Sequence, residues 1–390
     1  MTKKPYRKTI LASFIGFVSQ SIIVNFAPLL FLTFQSTYSI PIEEITLLVM
    51  VNFITQLITD LLASKYAKKI GYRFCLVISH ILCGAGLIIM TVLPEMMDPF
   101  AALIISTSIY AVGGGLLEVL LNPVLDACPI ENKSGIMSLM HSFYCWGVVG
   151  VVILSTAFFS IFGIHNWKIL SCLWAVIPLM NAVFLTRVPI YPIAEETKDR
   201  ANYKELFSQR VFWVIMIIMI CSGAAEITVS QWASTFVEKE FSLPKTTGDL
   251  IGVCGFSLFM GIARLLYAKQ SEKIHIKSAM IVSALLCIIS YLIIGLSDTS
   301  VSGLIGCILC GLSVGVFWPG TISMASERVK AGGTTMFALC ALSGDLGCTT
   351  GPALAGFMTG VMGGNMRLGI LCSVVFPILM LIGLVLLKRE

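Results

Sequence analysis

Glu118, Asn122 and Pro123 stand in GGGLLEVLLNPVLDACP, residues 113–129, where a carboxylate interrupts an apolar run and an amide follows it one helical turn later. If that run lies in lipid, an ionised carboxylate at its centre costs about 2.5 to 3.5 kcal/mol on insertion scales. Such an acid ordinarily faces a protein interior or a wet cavity and marks a pathway. The chemistry on offer is reversible proton binding at Glu118, with Asn122 on the same helix face to hydrogen-bond a polar solute. Pro123 frees a backbone carbonyl and permits a bend. The competing reading is a structural acid, neutral or paired with a neighbouring helix. Carboxylate, amide and bent backbone together suit a polyhydroxyl ligand better than a purely apolar one.

Other runs carry polar residues of the same kind. Glu226 has Ser222 and Ser230 on its own face at four-residue spacing and is expected to be a second pathway acid. Asp345 is a third candidate for transport or proton coupling, but Gly347 and Gly351 beside it have the GxxxG spacing of close helix packing, so a structural hydrogen-bonding role stands equally. His141 and Tyr144 fall at i and i+3, presenting an imidazole and a phenol on one face, and Asn52 and Gln56 at i and i+4 form a polar stripe. Gln20 and Asn25 are the strongly polar side chains of the first run. Trp232 and Trp318 suit either stacking on a sugar face or core packing. The expected solute-binding set is therefore Gln20, Asn25, Asn52, Gln56, Asn122, His141, Tyr144, Trp232 and Trp318.

These residues need a lipid setting, and composition supplies it: 57% of the residues are hydrophobic, 12% are charged, and the mean hydropathy is +0.92, far from the average of soluble domains. Runs long enough to cross about 30 Å of hydrocarbon are predicted at 10–34, 45–64, 74–93, 100–125, 135–161, 167–187, 211–236, 249–268, 278–296, 302–325, 333–360 and 367–387. The first is too long, and too polar at its end, for a cleaved leader, and is expected to remain. Assigning the 26 Lys and Arg residues to alternate sides of these twelve runs places 22 on one side and 4 on the other. The positive-inside rule then puts both termini in the cytoplasm, and the charge of +5 reflects topology and is no nucleic-acid footprint. The thirteen cysteines, including the pair Cys307 and Cys310, read as small core residues without the flanks of a redox or zinc motif.

A long polar connection, TRVPIYPIAEETKDRANYKELFSQR at 186–210, divides six runs from six. Residues 60–83 align without gaps on 264–287 at an offset of 204, with eight of 24 positions identical. Both copies join the second and third helix of their half through a basic loop, the pattern of a parallel repeat. The expected organisation is an all-α membrane protein of twelve transmembrane helices in two six-helix bundles, 1–190 and 211–390, with a cytoplasmic linker at 191–210.

The chain resembles the major facilitator superfamily. In the loop after the second run, ASKYAKKIGYR keeps Gly71 and the basic character of the family signature, while Ser64 and Lys68 replace a glycine and an aspartate. Glu118, Asn122 and Pro123, the run LMHSFYCWG, GAAEITVSQW and GVFWPGTISMA make it similar to the branch of fucose permease and related sugar:proton symporters. That branch carries an aspartate in its first helix, and FIGFVSQSIIVNFAPLL has none.

The resemblance implies a secondary active transporter in the plasma membrane, monomeric and multi-pass, working by alternating access. A small sugar-like solute and protons are its implied partners, with Glu118, Glu226 and Asp345 as coupling acids. A drug or metabolite exporter of the same fold and a transporter-like receptor are the alternatives. An enzyme is not expected, since GGG at 113–115 lacks the strand-to-helix context of a nucleotide site. No cofactor, metal or nucleic-acid partner is expected.

Overall fold

The computed structural model describes residues 5–40, 42–193, 203–243, 248–329 and 333–387. Part of the expected linker, 194–202, lies outside these, as do the basic residues Lys3, Lys4, Lys198, Arg200, Lys245, Lys330, Lys388 and Arg389, and the side chain of Ser64.

The described residues are helical almost throughout. In chain order the helices are α1 (Tyr6–Leu29), α2 (Phe31–Tyr38), α3 (Ile42–Ile70), α4 (Tyr72–Val92), α5 (Pro99–Asp126), α6 (Lys133–Phe162), α7 (Trp167–Leu185) and α8 (Tyr203–Ser208). They continue with α9 (Arg210–Phe241), α10 (Gly255–Gln270), α11 (Ile276–Gly295), α12 (Ser300–Val314), α13 (Phe317–Arg328), α14 (Gly333–Val361), α15 (Met366–Cys372) and α16 (Val375–Leu386). Among the described residues, ten stretches are long and apolar enough to cross a membrane by themselves. Two further crossings complete the set: α3, which carries the apolar run Met50–Ala63, and α14, where glycines, threonines and Asp345 dilute the hydropathy. The architecture is the expected all-α, twelve-crossing one. Several crossings are broken where the sequence dictates. Pro28 precedes the break between α1 and α2, since proline cannot donate to the helix ladder. A seven-residue π-helical segment, Gly248–Cys254, leads into α10.

Contacts group the chain into two compact units, residues 1–129 with 146–196, and residues 130–145 with 197–390. The first part of α6, residues 133–145, clusters with residues 197–390.

In the first unit α5 packs on α3 and α4, α4 on α7, and α1 on α5 and α7. The three glycines that open the GGG stretch make this packing close. A Cβ at Gly113 would lie 2.6 Å from the Ser79 carbonyl oxygen, and one at Gly115 3.0 Å from that of Gln56, so α5 touches α4 and α3 backbone to backbone. In the second unit α9 packs on α14. Here the GxxxG reading holds: Gly347 rests on the Ile220 carbonyl, and a Cβ at Gly351 would lie 2.6 Å from the carbonyl of Ala224. Small residues let helices approach where lipid provides no hydrophobic drive between them. Outward faces carry residues such as Phe74, Val183, Val282 and Phe357, each more than 60% exposed, as a lipid-facing surface requires. All thirteen cysteines are free thiols and ten are buried.

Candidate functional site

Glu118 projects from the second half of α5, half-buried, in the first unit. Its Oε2 accepts a hydrogen bond from Nε2 of Gln20 on α1 at 2.9 Å. Gln20 is 6% exposed, and its own Oε1 accepts no hydrogen bond among the described residues. The amide that the first helix carries thus meets the acid of α5 directly. Two side chains 98 residues apart in sequence form one carboxylate–amide pair.

The other polar candidates of this unit are engaged locally. Asn122 is 3% exposed and its Nδ2 donates to the Glu118 backbone carbonyl at 3.1 Å, so the amide expected to share a ligand-facing surface with Glu118 is turned onto its own helix. Asn25 does the same to the Ser21 carbonyl at 2.9 Å. Gln56 Nε2 donates to Asn52 Oδ1 at 3.3 Å, both buried, and the Gln56 amide lies over Gly114, whose missing side chain leaves it room.

A buried imidazole that the motif reading passed over sits in the same unit. His80 on α4 is fully buried. Its Nδ1 lies 2.7 Å from the Leu76 carbonyl and its Nε2 lies 2.8 Å from Nδ2 of Asn181 on α7. Because a carbonyl only accepts, Nδ1 carries the proton and Nε2 accepts. Asn181 gives its second proton to the Ala12 carbonyl of α1 at 2.9 Å. One imidazole and one amide therefore tie α1, α4 and α7 together.

In the second unit Glu226 on α9 is 6% exposed, and its Oε2 lies 3.2 Å from Nη2 of Arg264 on α10, which is 2% exposed. Arg264 Nε donates to the Gly315 carbonyl at 2.8 Å, and Nη1 donates to the His141 carbonyl at 2.9 Å and to Cys145 Sγ at 3.0 Å. Its own carbonyl accepts from Ser138 Oγ at 2.8 Å. Arg264 belongs to the 22 residues assigned to the cytoplasmic side, and it is the buried partner of the expected pathway acid. The signal for it was in the repeat: the 204-residue offset sets Arg264 opposite Asp60, which is likewise buried, at 1% exposure. A charge of either sign within a predicted span at equivalent positions of two repeats points inward.

The remaining candidates also lie in the second unit. His141 is 5% exposed, and Tyr144, one turn on, is half-buried. Ser222 and Thr321 hydroxyls are 3.3 Å apart. The Trp232 indole N–H donates to the Pro352 carbonyl of α14 at 3.1 Å, and the Trp318 ring is seated on Gly344, next in sequence to the buried Asp345. Both indoles thus contact α14.

A family model described as Major Facilitator Superfamily matches residues 9–337 and 237–390. The fold is similar to that of FucP, the E. coli fucose:proton symporter, in its outward conformation, with a TM-score of 0.84, 14% identity, and coverage of 99% of this chain and 100% of that one. It is similar to the proton:xylose symporter XylE, with a TM-score of 0.82, 12% identity and coverage of 99% and 96%. A human organic anion transporter has a TM-score of 0.75, 15% identity and coverage of 98% and 100%. No curated protein sequence matches.

Proposed function

Because the chain belongs to the Major Facilitator Superfamily, we propose that this multi-pass membrane protein is a secondary active transporter that takes up a small, sugar-like polar solute together with protons by alternating access. The observation that carries the reading is the Glu118–Gln20 pair: a carboxylate held by a neutral amide at 2.9 Å within a membrane-spanning helix. The neutral Gln20 amide can hydrogen-bond Glu118 in either charge state, through its NH2 or its oxygen. The partner of Glu226 is Arg264, a fixed cation. A proton arriving at Glu226 would leave a guanidinium uncompensated in a buried site. Glu118 is therefore the proton-coupling acid, with Glu226 as the anchor of an ion pair and Asp345 as a further acid on α14. On this proposal both termini are cytoplasmic, a reading that the Lys and Arg distribution supports, and the protein works as a monomer in the plasma membrane.

A thermal-shift screen of the purified protein in detergent, with sugars, nucleosides, amino acids and drugs, tests the solute class, since a specific binder stabilises the native state by mass action. A monosaccharide is expected to raise the unfolding temperature. Stabilisation by bulky lipophilic cations alone, with no response to any carbohydrate, would replace this reading with an exporter. Binding of a sugar without flux across a vesicle membrane would replace it with a receptor.

A further inference from the structure

The Gln20 amide is used at one end only. Its Nε2 donates to Glu118 Oε2, while its Oε1, fully buried, has no hydrogen-bond donor among the described residues. Leaving a buried carbonyl oxygen unpaired costs about 1–3 kcal/mol. A side chain held in that state points to a second state in which the oxygen is used.

The two charge states of Glu118 require opposite ends of the amide. An ionised carboxylate only accepts and must face the NH2 group, whereas a protonated one carries an O–H that must donate. The O and NH2 ends of a primary amide have nearly the same shape, so rotation by about 180° about the terminal torsion exchanges them without changing the volume filled.

Resting on the reading of Glu118 as the proton-coupling acid, we infer that Gln20 is a positioning residue whose amide follows the charge of Glu118. It presents Nε2 to the carboxylate and turns to present Oε1 to the O–H once Glu118 is protonated. One proton from water joins the carboxylate, Glu118 passes from −1 to neutral, and Gln20 stays neutral throughout. Among the described residues, the helices packed on α5 carry other titratable groups, including Asp60 on α3 beside Gly115, Cys83 on α4 against Gly113 and His80 on α4, whose Nε2 is held by Asn181. None of these three hydrogen-bonds Gln20.

The rotation also reverses the pole that faces away from Glu118, an acceptor while the acid is ionised and a donor once it is protonated. A hydroxyl group satisfies both, because it donates and accepts. An ammonium group satisfies only the first and a carboxylate only the second.

Infrared difference spectroscopy on the full chain in lipid nanodiscs, titrated from about pH 9 to about pH 4 with isotope-labelled glutamine and no added solute, tests this. The expected result is a carboxyl C=O band, absent in Glu118→Leu, that grows as pH falls. A glutamine side-chain carbonyl band, absent in Gln20→Met, should shift at the same midpoint. Gln20→Leu serves as the second assignment variant if Gln20→Met does not fold. A carboxyl band that titrates while the Gln20 band stays fixed overturns the inference and leaves Glu118 as the coupling acid. Absence of any Glu118 carboxyl band across the range overturns both.

Discussion

Replacing Arg264 by methionine should be among the most damaging single changes in the chain. The guanidinium is 2% exposed and places four hydrogen bonds, on Gly315, His141, Cys145 and Glu226. Its removal strands the Glu226 carboxylate in a site where that side chain is only 8% exposed. Removing one partner of a buried pair costs about 3–5 kcal/mol, mostly from the uncompensated charge left behind. Glu226→Met strands the guanidinium and should cost a similar amount. In the double variant no charge remains, and the residual cost is that of the Gly315 and His141 carbonyls losing a donor, about 1–3 kcal/mol. The double variant is thus expected to be at least as stable as either single one. Denaturant unfolding in mixed micelles, followed by exposure of the ten buried thiols to a reactive dye, yields the three values. Costs that add to within about 0.5 kcal/mol would refute the pairing, as would a neutral Arg264→Met.

Gly347→Leu should lower stability severely or prevent assembly, because even a Cβ there runs into the Ile220 carbonyl; Gly150→Ala, with nothing within 4 Å, should change the unfolding midpoint little. Equal effects would discredit the α9–α14 contact. His80→Leu leaves one Asn181 proton without its acceptor and is expected to cost about 1–3 kcal/mol, read as a lower unfolding midpoint in micelles; an unchanged midpoint would show that the His80–Asn181 bond carries no weight. Cysteine introduced at Lys198, in a background lacking the exposed Cys172, should react with an impermeant thiol reagent in inside-out vesicles and be protected in intact cells; labelling from outside would reverse the proposed topology.

The crossings were legible because a bilayer leaves little choice: about 20 apolar residues per span and basic loops on one side are physical requirements that act on local sequence. The Gly347–Gly351 contact was legible for the same reason, since small residues four apart specify a close approach by themselves. The site was not, because its partners are distant in the chain. Nothing near Glu118 announces Gln20, and nothing near Glu226 announces Arg264 except the repeat alignment with Asp60. Helical spacing puts Asn122 on the face of Glu118, but the bond from its Nδ2 to the Glu118 carbonyl at 3.1 Å is not something spacing specifies. The indole N–H of Trp232 likewise meets a carbonyl of α14, a partner fixed by tertiary packing alone.

The central claim is that Glu118 couples protons to solute movement, and proteoliposomes loaded with a pH-sensitive dye test it most directly. Each member of a monosaccharide panel is added outside wild-type and Glu118→Gln vesicles, and proton entry is recorded beside uptake of the labelled sugar. Glutamine keeps the shape of the side chain and a donor and an acceptor, but cannot bind the transported proton. The account predicts that one sugar drives internal acidification and accumulates in wild-type vesicles under an inward proton gradient. Glu118→Gln should exchange that sugar at equal concentrations without acidification or accumulation. Accumulation by Glu118→Gln under the same gradient would contradict it and move the coupling to Glu226 or Asp345.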